Sequence, residues 1–340
     1  MTDPTTASPT TPHAATATPV SATAATVPTT ATPPRATTSI ETVTTSESTS
    51  GPTCGSVSAS LTSPSTNVTP SSPSPSSPAP RRVGLVGWGA IGRVVGTALA
   101  EGGVPGAELV CIVDNRVLGD APAPQLSFEE ALDSCDLIVE AAGQSVVREW
   151  GERVLGSGTD LLIASTGALT DEGLAAALLA AGPGRVYFTG GAVGGLDLLQ
   201  AVRAMGPLTD VTLTTTKLPG TLEQPWMSED LLHRMRTASG PVEVMRGTAR
   251  DVPVKFPKST NVAASVALAV GDLDAVRVHV VADPAAQHTR HVIEASGSHG
   301  VYRFEVQHLP DPGNPATSQV VPYAVLRSLG ALAGRRGQIL

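Results

Sequence analysis

The chain has 340 residues and a formal net charge of −8, and it shows no basic stripe of the kind that pairs with nucleic-acid phosphates. No apolar run approaches the roughly 20 residues of a membrane span, so the sequence predicts neither nucleic-acid nor membrane partners. The three cysteines, Cys54, Cys111 and Cys135, fit neither a disulfide framework nor a metal-ligand spacing. We therefore expect no metal centre and a reducing, cytoplasmic location.

Residues 1–80 differ in composition from the rest of the chain. They consist almost entirely of Thr, Ser, Pro and Ala and contain no Phe, Trp or Tyr. Such a segment cannot bury enough apolar surface to offset the entropy cost of ordering, so we predict a disordered tail. It lacks the basic start and apolar core of a secretory signal. Folding is expected to begin near Arg81.

A glycine motif opens the folded part. Gly87, Gly89 and Gly92 have the G-x-G-x-x-G spacing, between a predicted strand over 83–86 and a predicted helix over 94–99. The first glycine permits a tight turn, the second lets the backbone approach a pyrophosphate, and the third lets helix and strand pack closely. The motif predicts a dinucleotide-binding site formed by Gly87, Gly89, Ala90, Ile91 and Gly92.

The next predicted strand, over 109–113, is followed by Asp114, 22 residues past Gly92. A ribose-binding carboxylate is expected at about this distance from the glycines. Asp114 favours NAD, because a carboxylate can bind the ribose hydroxyls and repel a 2′-phosphate, whereas Arg116 could accommodate that phosphate. We expect NAD to be preferred and NADP to be tolerated.

Strands and helices alternate through the rest of the first half. The predicted strands cover 137–142, 160–164 and 185–188, and the predicted helices cover 126–132, 146–155 and 171–179. Short loops and nearly continuous apolar strands indicate an α/β fold with a Rossmann-type, doubly wound parallel sheet.

The second half has a different pattern. A glycine cluster over 189–195 opens a predicted helix, and a threonine-rich strand follows. The later predictions are a helix over 261–270, strands over 275–281, 291–295 and 301–306, and a last helix over 319–332 capped by Ser318. The last two strands form a predicted hairpin, which indicates a mixed sheet.

These elements predict two folded domains after the tail. We expect a dinucleotide-binding domain over 81–191, completed by the C-terminal helix within 318–340. A second α/β domain is expected over 192–317.

Six segments of the folded part resemble the L-aspartate dehydrogenase family. They are GLVGWGAIG at 84–92, GGAVGGLD at 190–197, TTTKLPGTL at 214–222, FPKSTNVAA at 256–264, HVIEASGSHG at 291–300 and NPATS at 314–318. The resemblance covers about residues 81–332. The glycine motif is shared by many dehydrogenases, whereas GGAVGGLD, FPKSTNVAA and NPATS look specific to this family.

The resemblance implies NAD(P)-dependent oxidative deamination of L-aspartate, through iminoaspartate, to oxaloacetate and ammonia. It also implies a homodimer in which the domain over 192–317 carries catalysis and dimerisation, and a role that feeds NAD biosynthesis. It makes His291 the catalytic histidine, and it makes Ala192 and Asn261 contacts of the nicotinamide cofactor. The chain departs from the family pattern at Gly190, at 259–260 and directly before the catalytic histidine.

Aspartate carries two carboxylates, so cationic or N–H donors must hold them. Lys217 is the first candidate and Lys258 the second, although either could be a solvated surface lysine. Two other functions stay open. One is a related two-domain reductase acting on dihydrodipicolinate or homoserine, and the other is a nicotinamide-nucleotide-binding protein without catalysis.

Overall fold

The computed structural model describes residues 79–256, 261–311, 313–314 and 317–334. The predicted tail up to residue 78, together with Cys54 and Lys258, lies outside the described residues. Strands and helices are numbered in chain order. The described strands are β1 (Arg81–Val86), β2 (Ala107–Val113), β3 (Leu137–Glu140), β4 (Asp160–Ile163), β5 (Val186–Phe188), β6 (Leu208–Lys217), β7 (Val242–Thr248), β8 (Val276–Ala282), β9 (Thr289–Gly297) and β10 (Gly300–His308).

The described α-helices alternate with the strands from β1 to β7. They are α1 (Ala90–Ala100), α2 (Phe128–Ser134), α3 (Gln144–Gly156), α4 (Glu172–Ala180), α5 (Leu196–Met205), α6 (Glu229–Thr237), α7 (Asp251–Lys255), α8 (Asn261–Val270) and α9 (Val321–Leu332). None of them is long and apolar enough to cross a membrane.

The first sheet has five strands in the order β2-β1-β3-β4-β5, and all of its neighbouring strands are parallel. Strand β3 is buried along its whole length, as expected for a parallel strand covered on both faces. The strand order reverses between β1 and β3, and ligands bind at the carboxyl ends of strands beside such a switch point. The predicted Rossmann-type parallel sheet is confirmed.

Helix α9 covers part of this sheet. Its buried residues Val325 and Leu329 share a hydrophobic cluster with Val83 and Leu85 of β1 and with Val95 of α1. The helix begins at Val321 and no side chain caps it, so the predicted capping role of Ser318 is wrong. Helix α1 also begins earlier than predicted, at Ala90, because the extended backbone of Gly89 ends the glycine turn there.

The second sheet has the order β10-β9-β6-β8-β7. Strands β6 and β8 are parallel and the other pairs are antiparallel, which confirms the predicted mixed sheet. The face of β6 that carries Val211 and Leu213 packs into a hydrophobic cluster with residues of α5 and α8. Thr215 and Lys217 lie two and four residues after Leu213. They are on the same face of β6, because side chains alternate along a strand. One face of β6 therefore changes from apolar core to polar pocket lining.

Candidate active site

The glycine motif forms a tight cradle between β1 and α1. Gly87 has a φ of +99°, and a Cβ atom there would lie 2.7 Å from the carbonyl oxygen of Ala141. A Cβ atom on Gly92 would collide with the carbonyl oxygen of Gly87, whereas one on Gly89 would meet nothing within 4 Å. The turn and the helix packing thus require Gly87 and Gly92, and the open space at Gly89 fits the close approach of a pyrophosphate.

The N-terminus of α1 contributes to the same fit. Gly89 precedes the helix without a side-chain cap, and the first hydrogen bond of the helix runs from the backbone N–H of Arg93 to the carbonyl of Gly89. The earlier N–H groups of a helix have no partner within the helix and favour anionic ligands. The cradle therefore fits the phosphates of NAD or NADP.

A groove extends from the cradle along the carboxyl ends of β1 and β2. Gly87, Gly89, Asp114 and Arg116 all line it. The side chain of Asp114 is only 6% exposed and is ion-paired with Arg116. The Arg116 guanidinium holds the pKa of Asp114 well below its usual range, although burial opposes this effect. The acid predicted to bind a ribose thus lies in the groove as an ionised carboxylate.

Glu140, at the end of β3, fixes the loops on the other side of the cradle. One carboxylate oxygen accepts hydrogen bonds from the backbone N–H groups of Ala142 and Gly143, at 2.9 and 2.7 Å, and from the hydroxyl of Ser165, at 2.9 Å. The other oxygen accepts from the backbone N–H of Ser165 at 2.9 Å. Burial raises the pKa of Glu140. The side chain joins the loop after β3 to the loop after β4.

Replacing Glu140 with glutamine is expected to lower the free energy of unfolding by about 1–3 kcal/mol, because an amide NH₂ group would then face backbone donors in a buried site. Denaturant unfolding measures this change. The control is Glu108→Gln, which removes an exposed carboxylate from β2 and should leave stability unchanged. Equal stabilities for the two variants would contradict the role given to Glu140.

A second pocket lies between the first sheet and the second. It brings together five of the predicted site residues: Ile91, Ala192, Lys217, Asn261 and His291. Hydroxyl groups also line it, on Thr166, Thr189, Ser265, Thr317 and Ser318. Of the other predicted residues, Gly87, Gly89 and Asp114 line the neighbouring groove, while Ala90 and Gly92 form the start of α1 between the two.

Asn261 attaches the start of α8 to the loop after β4. Its side-chain oxygen accepts a hydrogen bond from the backbone N–H of Gly167 at 3.1 Å, and its amide nitrogen donates to the carbonyl of Ala164 at 3.5 Å. The hydroxyl of Thr166 donates to the backbone carbonyl of Asn261 at 2.9 Å. Asn261 therefore bonds to the neighbouring loop, and it forms the pocket wall beside Ala164.

His291 reaches the pocket from β9. The register pairs it with Thr215 of β6, and its Nδ1 atom lies 3.0 Å from the Thr215 hydroxyl oxygen. Lys217 lies two residues further along β6 on the same face, and both side chains line the pocket. His288 lies just before β9 and does not line the pocket.

Burial determines the protonation states of His291 and Lys217. His291 is 2% exposed and Lys217 is 5% exposed. Burial, assisted by the positive charge of the nearby Lys217, lowers the pKa of His291 to about 3. Burial lowers the pKa of Lys217 to about 8. At neutral pH the site therefore presents a neutral imidazole, which can accept a proton, and an ammonium group, which can attract a carboxylate.

Ala192 is fixed by a histidine from β10. The Nε2 atom of His308 lies 3.0 Å from the carbonyl oxygen of Ala192, and because a carbonyl only accepts, this nitrogen donates. Strand β10 is the neighbour of β9, so His308 ties the glycine-rich loop to the sheet that carries His291. The described residues contain no group of His, Cys, Asp and Glu side chains that could hold a metal ion.

Comparison with known families agrees with both halves of this site. The family described as "Homoserine dehydrogenase, NAD binding domain" matches residues 87–184. The family described as "Aspartate dehydrogenase, C-terminal" matches residues 197–332. The first match includes the glycine cradle, and the second includes Lys217, Asn261 and His291.

Individual relatives extend over the same region. The chain is 37% identical to L-aspartate dehydrogenase of Ruegeria pomeroyi over 260 residues, which cover 73% of this chain and 91% of the relative. It is 31% identical to L-aspartate dehydrogenase of Methanosarcina mazei over 261 residues, with coverages of 73% and 95%. The crystal structure of aspartate dehydrogenase from Thermotoga maritima superposes with a TM-score of 0.60 at 25% identity, covering 76% of this chain and 98% of that one.

The parallel sheet with its glycine cradle, next to a pocket that holds a buried histidine, defines a nicotinamide-dinucleotide-dependent dehydrogenase, whose cofactor is NAD or NADP. The similarity to the relatives runs through both sheets. The chain belongs to the L-aspartate dehydrogenase family.

Proposed function

We propose that the protein oxidises L-aspartate with NAD or NADP, through iminoaspartate, to oxaloacetate and ammonia. The observation that carries the proposal is the position of His291 and Lys217. Both line one pocket with Ile91, which follows the pyrophosphate cradle at the start of α1. A dinucleotide whose phosphates lie at Gly89 would extend from the groove that Asp114 lines into the pocket that holds His291 and Lys217. Its nicotinamide end therefore belongs beside these two side chains.

The pocket suits a small dicarboxylate. The Lys217 ammonium group supplies a buried positive charge, and charge-assisted hydrogen bonds to a carboxylate are stronger than neutral ones. Thr317 and Ser318 bring hydroxyl groups to the same pocket. We infer that Lys217 holds one substrate carboxylate and that these hydroxyls bind the other. The second lysine candidate, Lys258, lies outside the described residues.

His291 handles the proton in this mechanism. A bound nicotinamide would supply the hydride acceptor for Cα of aspartate, whose amine would be uncharged. The neutral imidazole of His291 then removes a proton from the water that attacks the imine carbon, and the carbinolamine collapses to oxaloacetate and ammonia. If the Nδ1–H of His291 donates to Thr215, the Nε2 lone pair is left available as the base.

Two rival functions receive less support. The family that matches the nucleotide-binding half is named for homoserine dehydrogenase, but the match ends at residue 184, before the residues that would bind the substrate. The half that carries His291 matches the aspartate dehydrogenase family instead. A protein that binds the nucleotide without catalysis would have no need of a buried lysine and a neutral histidine in one pocket.

One assay separates these functions. The absorbance of reduced nicotinamide is followed with L-aspartate and NAD or NADP, and in reverse with oxaloacetate and ammonia. We expect turnover in both directions with these substrates, and none with homoserine or dihydrodipicolinate. Cofactor binding without turnover of any of these substrates would leave only a nucleotide-binding function.

We further propose that residues 81–191 and the C-terminal helix form the nucleotide domain, and that residues 192–317 form the catalytic domain of a homodimer. Light scattering at several protein concentrations tests the dimer.

Two buried cysteines, Cys111 and Cys135, lie with their sulfur atoms 3.6 Å apart and form no disulfide, which supports the proposed cytoplasmic location. The proposed role in NAD biosynthesis is supported by membership of the L-aspartate dehydrogenase family.

A further inference from the structure

The turn after β2 carries the residues that face the adenosine end of a bound dinucleotide. Asp114 and Arg116 line the same groove as Gly87 and Gly89. In dinucleotide-binding sheets, an acid at this position hydrogen-bonds the ribose 2′-hydroxyl, whereas an arginine nearby accommodates a 2′-phosphate. The chain has both residue types, so the choice depends on what each side chain already contacts.

The carboxylate of Asp114 has no lone pair left to accept a hydrogen bond from a ribose hydroxyl. One oxygen accepts from the backbone N–H and the Nε of Arg116, both at 2.9 Å. The other accepts from the backbone N–H of Trp88 at 2.7 Å and from Nη2 of Arg116 at 2.9 Å. A carboxylate has about four lone-pair sites, and four donors occupy them. A ribose hydroxyl would have to displace one of these donors.

Arg116 is the exposed partner in this ion pair. Its side chain is 60% exposed, whereas that of Asp114 is 6% exposed. Its Nη2 also donates to the carbonyl of Trp88 at 3.1 Å, which holds the group across the turn. Within the described part of the chain, no hydrogen bond occupies Nη1 of Arg116. A ligand therefore meets a cationic surface that retains N–H donors.

The ion pair also reduces the repulsion between Asp114 and a phosphate, because the charge of Arg116 offsets that of the acid. Asp120 also helps to raise the pKa of Arg116, but it is itself ion-paired with Arg93. Glu149 is the other acid that lines the groove. A 2′-phosphate can pair with a guanidinium in a bidentate manner, which a ribose hydroxyl cannot do.

We propose that Arg116 is the specificity-determining residue of the cofactor site and that the protein binds NADPH more tightly than NADH. This changes the expectation from sequence, in which Asp114 favours NAD. The proposal concerns binding of the dinucleotide alone. Failure of the aspartate reaction would therefore not affect it, and its own failure would leave the aspartate reaction standing.

The test is direct binding without substrate. Quenching of tryptophan fluorescence gives Kd for NADPH and NADH, since Trp150 lines the groove. Calorimetry with 2′,5′-ADP and 5′-AMP isolates the contribution of the 2′-phosphate. We expect Arg116→Ser to weaken NADPH and 2′,5′-ADP by about 10- to 100-fold, the range expected for lost charge-assisted hydrogen bonds. Binding of NADH should be unchanged or tighter, because Asp114 becomes available to the ribose.

Arg82→Ser is the matched control. It removes a similarly exposed arginine, paired with Asp136, from the end of β1 that lies away from the glycine cradle, and it should alter neither Kd. Arg116→Lys keeps the charge without the bidentate geometry and should fall between the wild type and Arg116→Ser. Tighter wild-type binding of NADH than of NADPH would overturn the proposal. Equal weakening of both dinucleotides by Arg116→Ser would also overturn it.

Discussion

Replacing His291 with alanine is expected to lower kcat for L-aspartate by about a hundredfold to ten-thousandfold, the usual contribution of a general acid–base group, with cofactor binding unchanged. The imidazole lies in the substrate pocket and is 2% exposed. Burial lowers its pKa to about 3, so the imidazole is in its neutral form throughout the range from pH 5 to pH 9. Alanine removes the base and leaves the glycine cradle intact.

Rapid mixing and isotope effects can identify the reaction step that fails in His291→Ala. If His291 activates the water, hydride transfer should survive in the variant and hydrolysis of the imine should become rate-limiting. Rapid mixing should then show a burst of reduced nicotinamide followed by slow turnover. The deuterium isotope effect with Cα-deuterated aspartate should shrink in the steady state. A slow reaction without a burst would instead place His291 in the hydride-transfer step.

His288→Ala is the control for this prediction. His288 lies three residues earlier, just before β9, and does not line the pocket. Its replacement should leave kcat and the Kd for NADPH as they are. Normal turnover in His291→Ala would remove this histidine from the mechanism, whatever the control shows.

Much of the fold could be predicted from local sequence, because hydrophobic periodicity and glycine punctuation are local signals. The capping box of α2 is one example: the backbone N–H of Glu130 donates to the Ser127 hydroxyl at 3.3 Å. Helix α6 and strand β7 were missed. The side chain of Ser228 caps α6, which was a local signal in the sequence, whereas the packing of Met235 and Val244 into the second core is long-range.

The site depends more on long-range register. The alternation in β6 indicates that Thr215 and Lys217 share a face, and this signal was available in the sequence. The pairing of Thr215 with His291 was not, since the register joins strands 76 residues apart. For Ser318, a local sequence signal led to a wrong prediction. Its position before a helix is typical of a cap, but it lies buried in the pocket wall instead.

Replacing Lys217 with methionine is expected to raise KM for L-aspartate by about a hundredfold, with a smaller effect on kcat. Removing one partner of a buried, hydrogen-bonded charge pair costs about 2–5 kcal/mol. The lysine is 5% exposed and lines the pocket with His291. Methionine keeps most of the side-chain volume, so the variant should fold. Lys255→Met removes an exposed lysine from α7 and should leave KM unchanged.

The pH dependence of dicarboxylate binding tests the same charge. Burial lowers the pKa of Lys217 to about 8, so its ammonium form persists below that pH and is lost above it. Succinate has two carboxylates but no amine, and both are ionised above pH 7, so only the protein titrates. We expect the Kd of succinate for the enzyme with bound cofactor to rise only about twofold between pH 7 and pH 8, where half of the lysine has lost its proton. It should then rise about tenfold for each further pH unit, because only the protonated lysine binds. In Lys217→Met the Kd should be high and independent of pH. If this variant shows the same rise above pH 8 as the wild type, another group holds the carboxylate.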